Sequence, residues 1–275
     1  MIENIKYKNL FNYLKELGSV VVAFSGGVDS TFIAKVAKEA LGDKALALTV
    51  VAPYMPRWEI EEAKEAVKKI GIRHELLNIP VIIDEIKFNP SDRCYLCKTA
   101  VFTKIKEVAE KEGFKYVVDG TNTDDTKDYR PGLRALKELN IKSPLLENGI
   151  VKSEIREFSK KLGLETWDKP SYACLLSRIP YDEEIKVEEL DRIEKSEKYL
   201  MGLGFREIRV RSHKDLARIE VKKESIVKLF SDGLFEDISK RLKEFGFKYV
   251  TLDLEGYRTG SLNEVLELNK EAIEL

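Results

Sequence analysis

Val20-Val21-Val22-Ala23-Phe24 leads straight into Ser25-Gly26-Gly27-Val28-Asp29-Ser30, and that loop opens on a helix-forming stretch, Thr31 to Leu41. An uninterrupted apolar run reads as a buried strand of a parallel sheet. A strand that feeds a glycine turn and then a helix N-terminus is built to hold phosphate. The glycines let the backbone come close to a ligand, and the N–H groups and helix dipole favour its negative charge. Ser25 and Ser30 add hydroxyl donors, and Asp29 can hold a cation that neutralises the phosphates. The loop has no lysine, and its spacing differs from G-x-x-x-x-G-K-[ST].

The rest of the first half alternates strand and helix. Expected strands are 45–51, 73–79 and 116–118, with helices over 57–70, closed by Gly71, and 99–113. This order predicts a parallel, doubly wound α/β sheet with ligands at the carboxyl ends of its strands. Asp119-Gly120-Thr121-Asn122 follows the fourth strand and so falls at such an end. Asp124 and Asp125 come directly after; paired carboxylates there suit Mg²⁺, and the alternative is a solvated turn with side-chain-to-backbone bonds. Beyond residue 170 the pattern changes. An irregular segment, Ser171 to Ile179, precedes a polar helix over 182–201, strands over 206–211 and 216–221, a helix over 234–245 and a strand over 248–254. The expected domains are 1–170, a Rossmann-like nucleotide domain, and 171–275, a smaller α+β domain.

Composition narrows the function class. The chain has 275 residues, 43% hydrophobic and 35% charged, with a net charge of −1, which fits a globular enzyme and gives no general attraction to nucleic acid. No apolar run is long enough for a bilayer, and the start Met-Ile-Glu-Asn lacks the regions of a signal peptide. The expected location is the cytoplasm, with no membrane partner.

There are three cysteines, Cys94, Cys97 and Cys174. A structural disulfide does not suit the cytoplasm, and a redox C-x-x-C pair leaves the third cysteine unexplained. Structural zinc wants four ligands, and neither His74 nor His213 is an evident fourth. A 4Fe-4S cluster on three cysteines would leave one iron open to sulfide, unlike the four-cysteine electron-transfer site. The three cysteines alone leave the metal undecided.

The loop Ser25-Gly-Gly-Val-Asp-Ser30 resembles the PP-loop of ATP pyrophosphatases, which split ATP between its α- and β-phosphates and place AMP on a substrate oxygen. With Gly120-Thr121-Asn122 and the run Lys169-Pro-Ser-Tyr-Ala-Cys-Leu-Leu-Ser-Arg-Ile-Pro-Tyr181, the chain is similar along nearly its whole length to the LarE family. Its members are ATP-dependent sulfur transferases of nickel-pincer nucleotide biosynthesis. The resemblance implies adenylation of the carboxylates of pyridinium-3,5-biscarboxylic acid mononucleotide and their conversion to thiocarboxylates. It places ATP on Ser25, Gly26, Gly27, Asp29, Ser30, Gly120 and Thr121, with Mg²⁺.

One branch of the family gives up the sulfur of a single cysteine, here Cys174. The presence of Cys94 and Cys97 resembles the second branch, in which three cysteines hold a 4Fe-4S cluster and turnover is repeated. The resemblance also matches Arg209 and Arg211 to substrate-phosphate arginines, adds Ser177 and Arg178, and aligns Glu197 with an acidic residue near the substrate. Arginines at alternate strand positions suit bidentate anion binding. The expected partners are the nucleotide substrate, sulfide or a sulfur-donor protein, and further copies of the chain in a homo-oligomer. Competing readings are a tRNA-thiolating enzyme, which would want a basic face, an ammonia-using synthetase, which has no use for cysteines, and a nucleotide-binding iron–sulfur sensor.

Overall fold

The computed structural model describes residues 2–127, 131–170, 172–231, 233–258 and 260–264 of the chain. Ser171, at the expected domain boundary, and the C-terminal end of the second expected domain lie outside the described residues. The described residues form two compact units, one of residues 2–86 and 91–170 and the other of 87–90 and the described residues from 172 to 264.

In the first unit, α1 (Ile5–Leu17) leads into β1 (Val20–Ala23), α2 (Val28–Leu41), β2 (Ala45–Val51), α3 (Arg57–Ile70) and β3 (Arg73–Asn78). Then come α4 (Arg93–Lys111), β4 (Tyr116–Val118), α5 (Gly132–Glu138), α6 (Pro144–Glu147) and α7 (Lys152–Lys161). The four strands are parallel in the order β3-β2-β1-β4. Alternation of side chains along β1 explains why helices cover both faces. Val20 and Val22 pack into a core with Tyr7, Leu10, Phe32, Val67 and Phe158 from α1, α2, α3 and α7. Val21 faces the other way, into a core with Leu46, Phe102, Ile105 and Leu136.

Successive strands run from β1 outward to β3, and β4 then returns to the opposite side of β1. The strand order therefore reverses between β1 and β4, and such a reversal opens a crevice at the strands' carboxyl ends.

The second unit contains α8 (Val187–Gly202), β5 (Ile208–His213), β6 (Leu216–Val221), α9 (Lys223–Leu229), α10 (Leu234–Glu244) and β7 (Tyr249–Leu252). Its sheet has the order β5-β6-β7, antiparallel in the first pair and parallel in the second. The hairpin turns on Lys214, whose φ of 57° is the left-handed conformation a tight turn needs. The chain is thus the expected α/β Rossmann-like PP-loop fold with a small mixed sheet after it. No described helix is long and apolar enough to cross a membrane.

Three local differences from the sequence reading matter. α1 was not anticipated. α4 starts at Arg93, six residues before the expected helix, so Cys94 and Cys97 stand in its first two turns and not in a loop. α8 starts at Val187, after the expected 182, because Asp182 sits at a positive φ of 61°.

Candidate active site

The loop after β1 is held by its own hydroxyls. Ser25 and Ser30 Oγ atoms lie 3.1 Å apart, the Ser25 N–H donates to Ser30 Oγ at 3.3 Å, and the Gly27 N–H donates to Ser25 Oγ at 3.4 Å. Gly26 has φ +71°, and a Cβ there would come within 2.9 Å of Ala63 in α3, so both conformation and space require glycine. Gly27 caps α2 without a side-chain bond, which leaves that N-terminus open to an anion. The ammonium of Lys169 donates to the Gly26 carbonyl at 3.1 Å and pairs with Glu62 at 2.7 Å.

The two signals read at separate points of the sequence meet at the crevice. A Cβ on Gly120 would stand 3.0 Å from the Asp29 Cβ and 3.1 Å from the Ser30 nitrogen. Thr121 donates its hydroxyl to Asp119, whose other carboxylate oxygen accepts from Ser143 Oγ at 2.7 Å. Asp124 accepts from the Lys152 backbone N–H at 2.8 Å, and Asp125 from the Asn122 N–H at 3.0 Å.

Asp29 stands in the first turn of α2. Its Oδ2 pairs with Lys152 Nζ at 2.6 Å, and its Oδ1 is buried with no hydrogen-bond partner among the described residues. Burial pushes its carboxyl above the ordinary range, against the pull of Lys152. A buried carboxylate oxygen left bare is a fitting ligand for a hard cation such as Mg²⁺. Lys152 had no mark in the sequence; a lysine at a helix start carries no motif, and its partner is 123 positions away.

Cys94 and Cys97 are three apart on α4 and so share one face of it. Cys94 is exposed and Cys97 half-buried, its thiol 3.5 Å from the Tyr54 hydroxyl. Cys174 belongs to the second unit and precedes a short 3₁₀ turn, Leu175–Arg178. The first unit thus supplies two thiols on one helical face. Among the described residues no group of three or more His, Cys, Asp or Glu side chains is arranged to hold a metal. His74 hydrogen-bonds Thr49 at 2.9 Å through Nε2 and packs edge-on against Phe24. His213 ends β5, where burial, then Arg218 and Arg211, lower its pKa.

The expected anion ligands of the second unit are largely engaged inside it. Arg178 is 1% exposed, grips both oxygens of Glu197 at 2.8 and 2.9 Å, and donates to the carbonyls of Ala173 and Cys174 at 2.6 and 3.0 Å. The Ser177 hydroxyl donates to the same Cys174 carbonyl at 3.0 Å. Arg211 pairs with Glu220 across the hairpin and donates to Ser261 Oγ at 2.6 Å and the Ser177 carbonyl at 2.5 Å. Arg209 donates to the Ile208 carbonyl at 2.6 Å and lies over the Tyr257 ring. Burial and the adjacent Arg178 charge lower its pKa. The two adjacent guanidinium groups, Arg178 and Arg209, form a positive locus suited to an anion.

A family model described as NAD synthase matches residues 3–109, which include the loop and the C-x-x-C pair. An uncharacterized protein of Synechocystis is 46% identical over 97% of this chain and 99% of its own length. An uncharacterized protein of Methanocaldococcus jannaschii is 37% identical over 93% of this chain and 97% of its own. The pyridinium-3,5-bisthiocarboxylic acid mononucleotide synthase of Lactiplantibacillus plantarum is 35% identical over 95% of both chains. Similarity of that extent, on a PP-loop fold whose glycine loop and β4 turn meet at one crevice, means that this chain belongs to the LarE family of ATP-dependent enzymes.

Proposed function

We propose that this chain is an ATP-dependent sulfur transferase that adenylates the carboxylates of pyridinium-3,5-biscarboxylic acid mononucleotide and converts them to thiocarboxylates. The full-length likeness to the L. plantarum synthase carries this reading. A substrate carboxylate oxygen attacks the α-phosphorus, the bond to the β-phosphate oxygen breaks, and pyrophosphate leaves. A sulfur nucleophile then attacks the acyl carbon, the carbon–oxygen bond to phosphate breaks, and AMP leaves.

Ser25, Gly26, Gly27 and Ser30 hold the phosphates through backbone N–H groups and hydroxyls, while Gly120 and Thr121 form the opposing wall. Mg²⁺ bound through Asp29 would neutralise charge on the phosphates. In the second domain, 171–275, Arg209 and Arg211 receive the substrate phosphate with Ser177. Arg178, committed to Glu197, fixes the backbone at Cys174.

Cys94, Cys97 and Cys174 supply the sulfur chemistry. Thiolates suit a 4Fe-4S cluster, and Cys94 and Cys97 offer two such ligands from one helix face, with Cys174 the third. When bound, such a cluster would present sulfide as the nucleophile and permit repeated turnover. The second reading is a single sacrificial transfer from Cys174, favoured by the direct anchoring of its carbonyl by Arg178. Purification without oxygen, followed by iron and sulfide analysis and a product count per enzyme, separates the two. Iron with many products per chain supports the cluster. No iron and one sulfur per chain supports sacrifice, and no thiocarboxylate at all with ATP and sulfide overturns both.

A further inference from the structure

Lys152 and Arg156 act on Asp29, Lys169 holds the same loop, and the three cations are not equivalent. Arg156 is locked by two carbonyls, donating to Trp167 at 2.7 Å and to Lys169 at 2.9 Å. Lys169 is held between Glu62 and the Gly26 carbonyl at 2.7 and 3.1 Å. Of the three, Lys152 is the one paired to Asp29, at 2.6 Å. Its backbone is fixed as the first residue of α7, with its N–H on Asp124 at 2.8 Å. The side chain above that anchor remains a flexible stem ending in a compact charge. Neither group is sealed in: the Lys152 side chain is 31% exposed and that of Asp29 24%.

The pair is also incomplete. Lys152 satisfies Oδ2 of Asp29 and leaves Oδ1 buried and bare. A divalent cation bridging Asp29 and a polyphosphate would serve that oxygen. With the ammonium 2.6 Å from Oδ2 and a divalent cation on Oδ1, two positive charges would face each other across one carboxylate, and they repel. That repulsion favours release of the ammonium, which sits on the first turn of the helix that follows the loop.

We propose that Lys152 is an exchangeable counter-cation: it neutralises Asp29 in the nucleotide-free enzyme, yields that carboxylate to a divalent cation, and moves onto the phosphate oxygens of the bound nucleoside triphosphate. This inference rests on the nucleotide-loop reading above. It gives Lys152 two successive partners, and in the second it faces the charge that grows on departing pyrophosphate. Stabilisation of a leaving group by a fixed cation is the kind of contact that raises turnover and not mere affinity.

Two effects of removing the ammonium then run in opposite directions, which a simple structural role would not produce. Lys152→Met frees Asp29 of its competitor, so Mn²⁺ titrated without nucleotide, followed by its electron paramagnetic resonance signal, binds about five- to tenfold tighter. Its turnover for pyrophosphate release with substrate and ATP falls about a hundredfold. Lys152→Arg keeps the charge, so its Mn²⁺ affinity stays near wild type and part of the turnover returns. If Lys152→Met binds Mn²⁺ no more tightly than wild type, or releases pyrophosphate as fast, the exchange is wrong. Should Lys152→Met not fold, the same comparison is made with Lys152→Gln. If wild type releases no pyrophosphate with this substrate, the functional reading fails, while the Mn²⁺ comparison still decides whether Lys152 competes for Asp29.

Discussion

Gly120 lies against the first turn of α2, so close that a Cβ there would be 3.0 Å from the Cβ of Asp29. The close approach joins the carboxyl ends of β1 and β4 and leaves no room between the two turns. The proposed nucleotide cradle depends on that join.

Gly120→Ala should therefore push the β4 turn off α2. The expected cost is about 1–3 kcal/mol of stability, read from urea unfolding, together with weaker ATP binding by calorimetry. Gly27→Ala is the control. Its Cβ would meet only Ser25 Oγ at 3.4 Å, an ordinary contact, so stability should change much less. Equal effects at both positions would contradict the packing argument.

The Arg178–Glu197 pair is buried, with side chains 1% and 4% exposed, and Glu197 also accepts the Val210 N–H at 2.9 Å. Glu197→Ala strands a buried guanidinium and should cost about 3–5 kcal/mol. Because Arg178 holds the Cys174 carbonyl, the same substitution should speed alkylation of Cys174 as its segment loosens. A urea midpoint and a thiol-labelling rate check the two halves separately.

Asp29 sets a pH dependence with a definite sign. Its folded carboxyl titrates above the ordinary value of 3.8, so the protonated form is favoured by folding. The stability it contributes is full below the unfolded value and is lost as pH rises through the folded one. Asp29→Asn imitates the protonated form. Its stability advantage over wild type should thus be largest at neutral pH and shrink as pH falls toward the ordinary carboxylate range. An advantage that grows on acidification would reverse the sign and contradict the burial argument.

Much of the first unit was legible because its signals are local. The apolar run 20–24, the glycines that follow it and the Asp119-Gly120 turn each declare a strand end, and parallel topology brings strand ends together. The helix α1 could have been read as well. Tyr7, Leu10 and Leu14 recur at helical spacing, and Asn4 caps it through bonds to the Lys6 and Tyr7 N–H groups. The start of α4 was hidden because Pro90-Ser91-Asp92 reads as loop, although it is the lead-in to the helix that carries both cysteines. Long-range pairs left no trace at all. Nothing at Lys152 points to Asp29, and Arg209 and Arg211 look alike on a strand, although Glu220, the register partner of Arg209, ion-pairs with Arg211.

The cysteines should divide by role. Cys174→Ala should abolish thiocarboxylate formation and leave pyrophosphate release near wild type, since adenylation uses no thiol. Cys94→Ala and Cys97→Ala should keep adenylation and lose multiple turnover. Paired pyrophosphate and product assays under nitrogen check this. Many turnovers from Cys94→Ala would remove the first-unit pair from the chemistry.

The central claim is that ATP activates a carboxylate as its acyl adenylate. It is tested most directly with substrate whose carboxylates carry heavy oxygen, by mass spectrometry of the released nucleotide. The account predicts AMP that gains one heavy oxygen atom for each thiocarboxylate formed, because the carboxylate oxygen that attacks phosphorus leaves with AMP. Unlabelled AMP, or ADP with labelled phosphate, would contradict it.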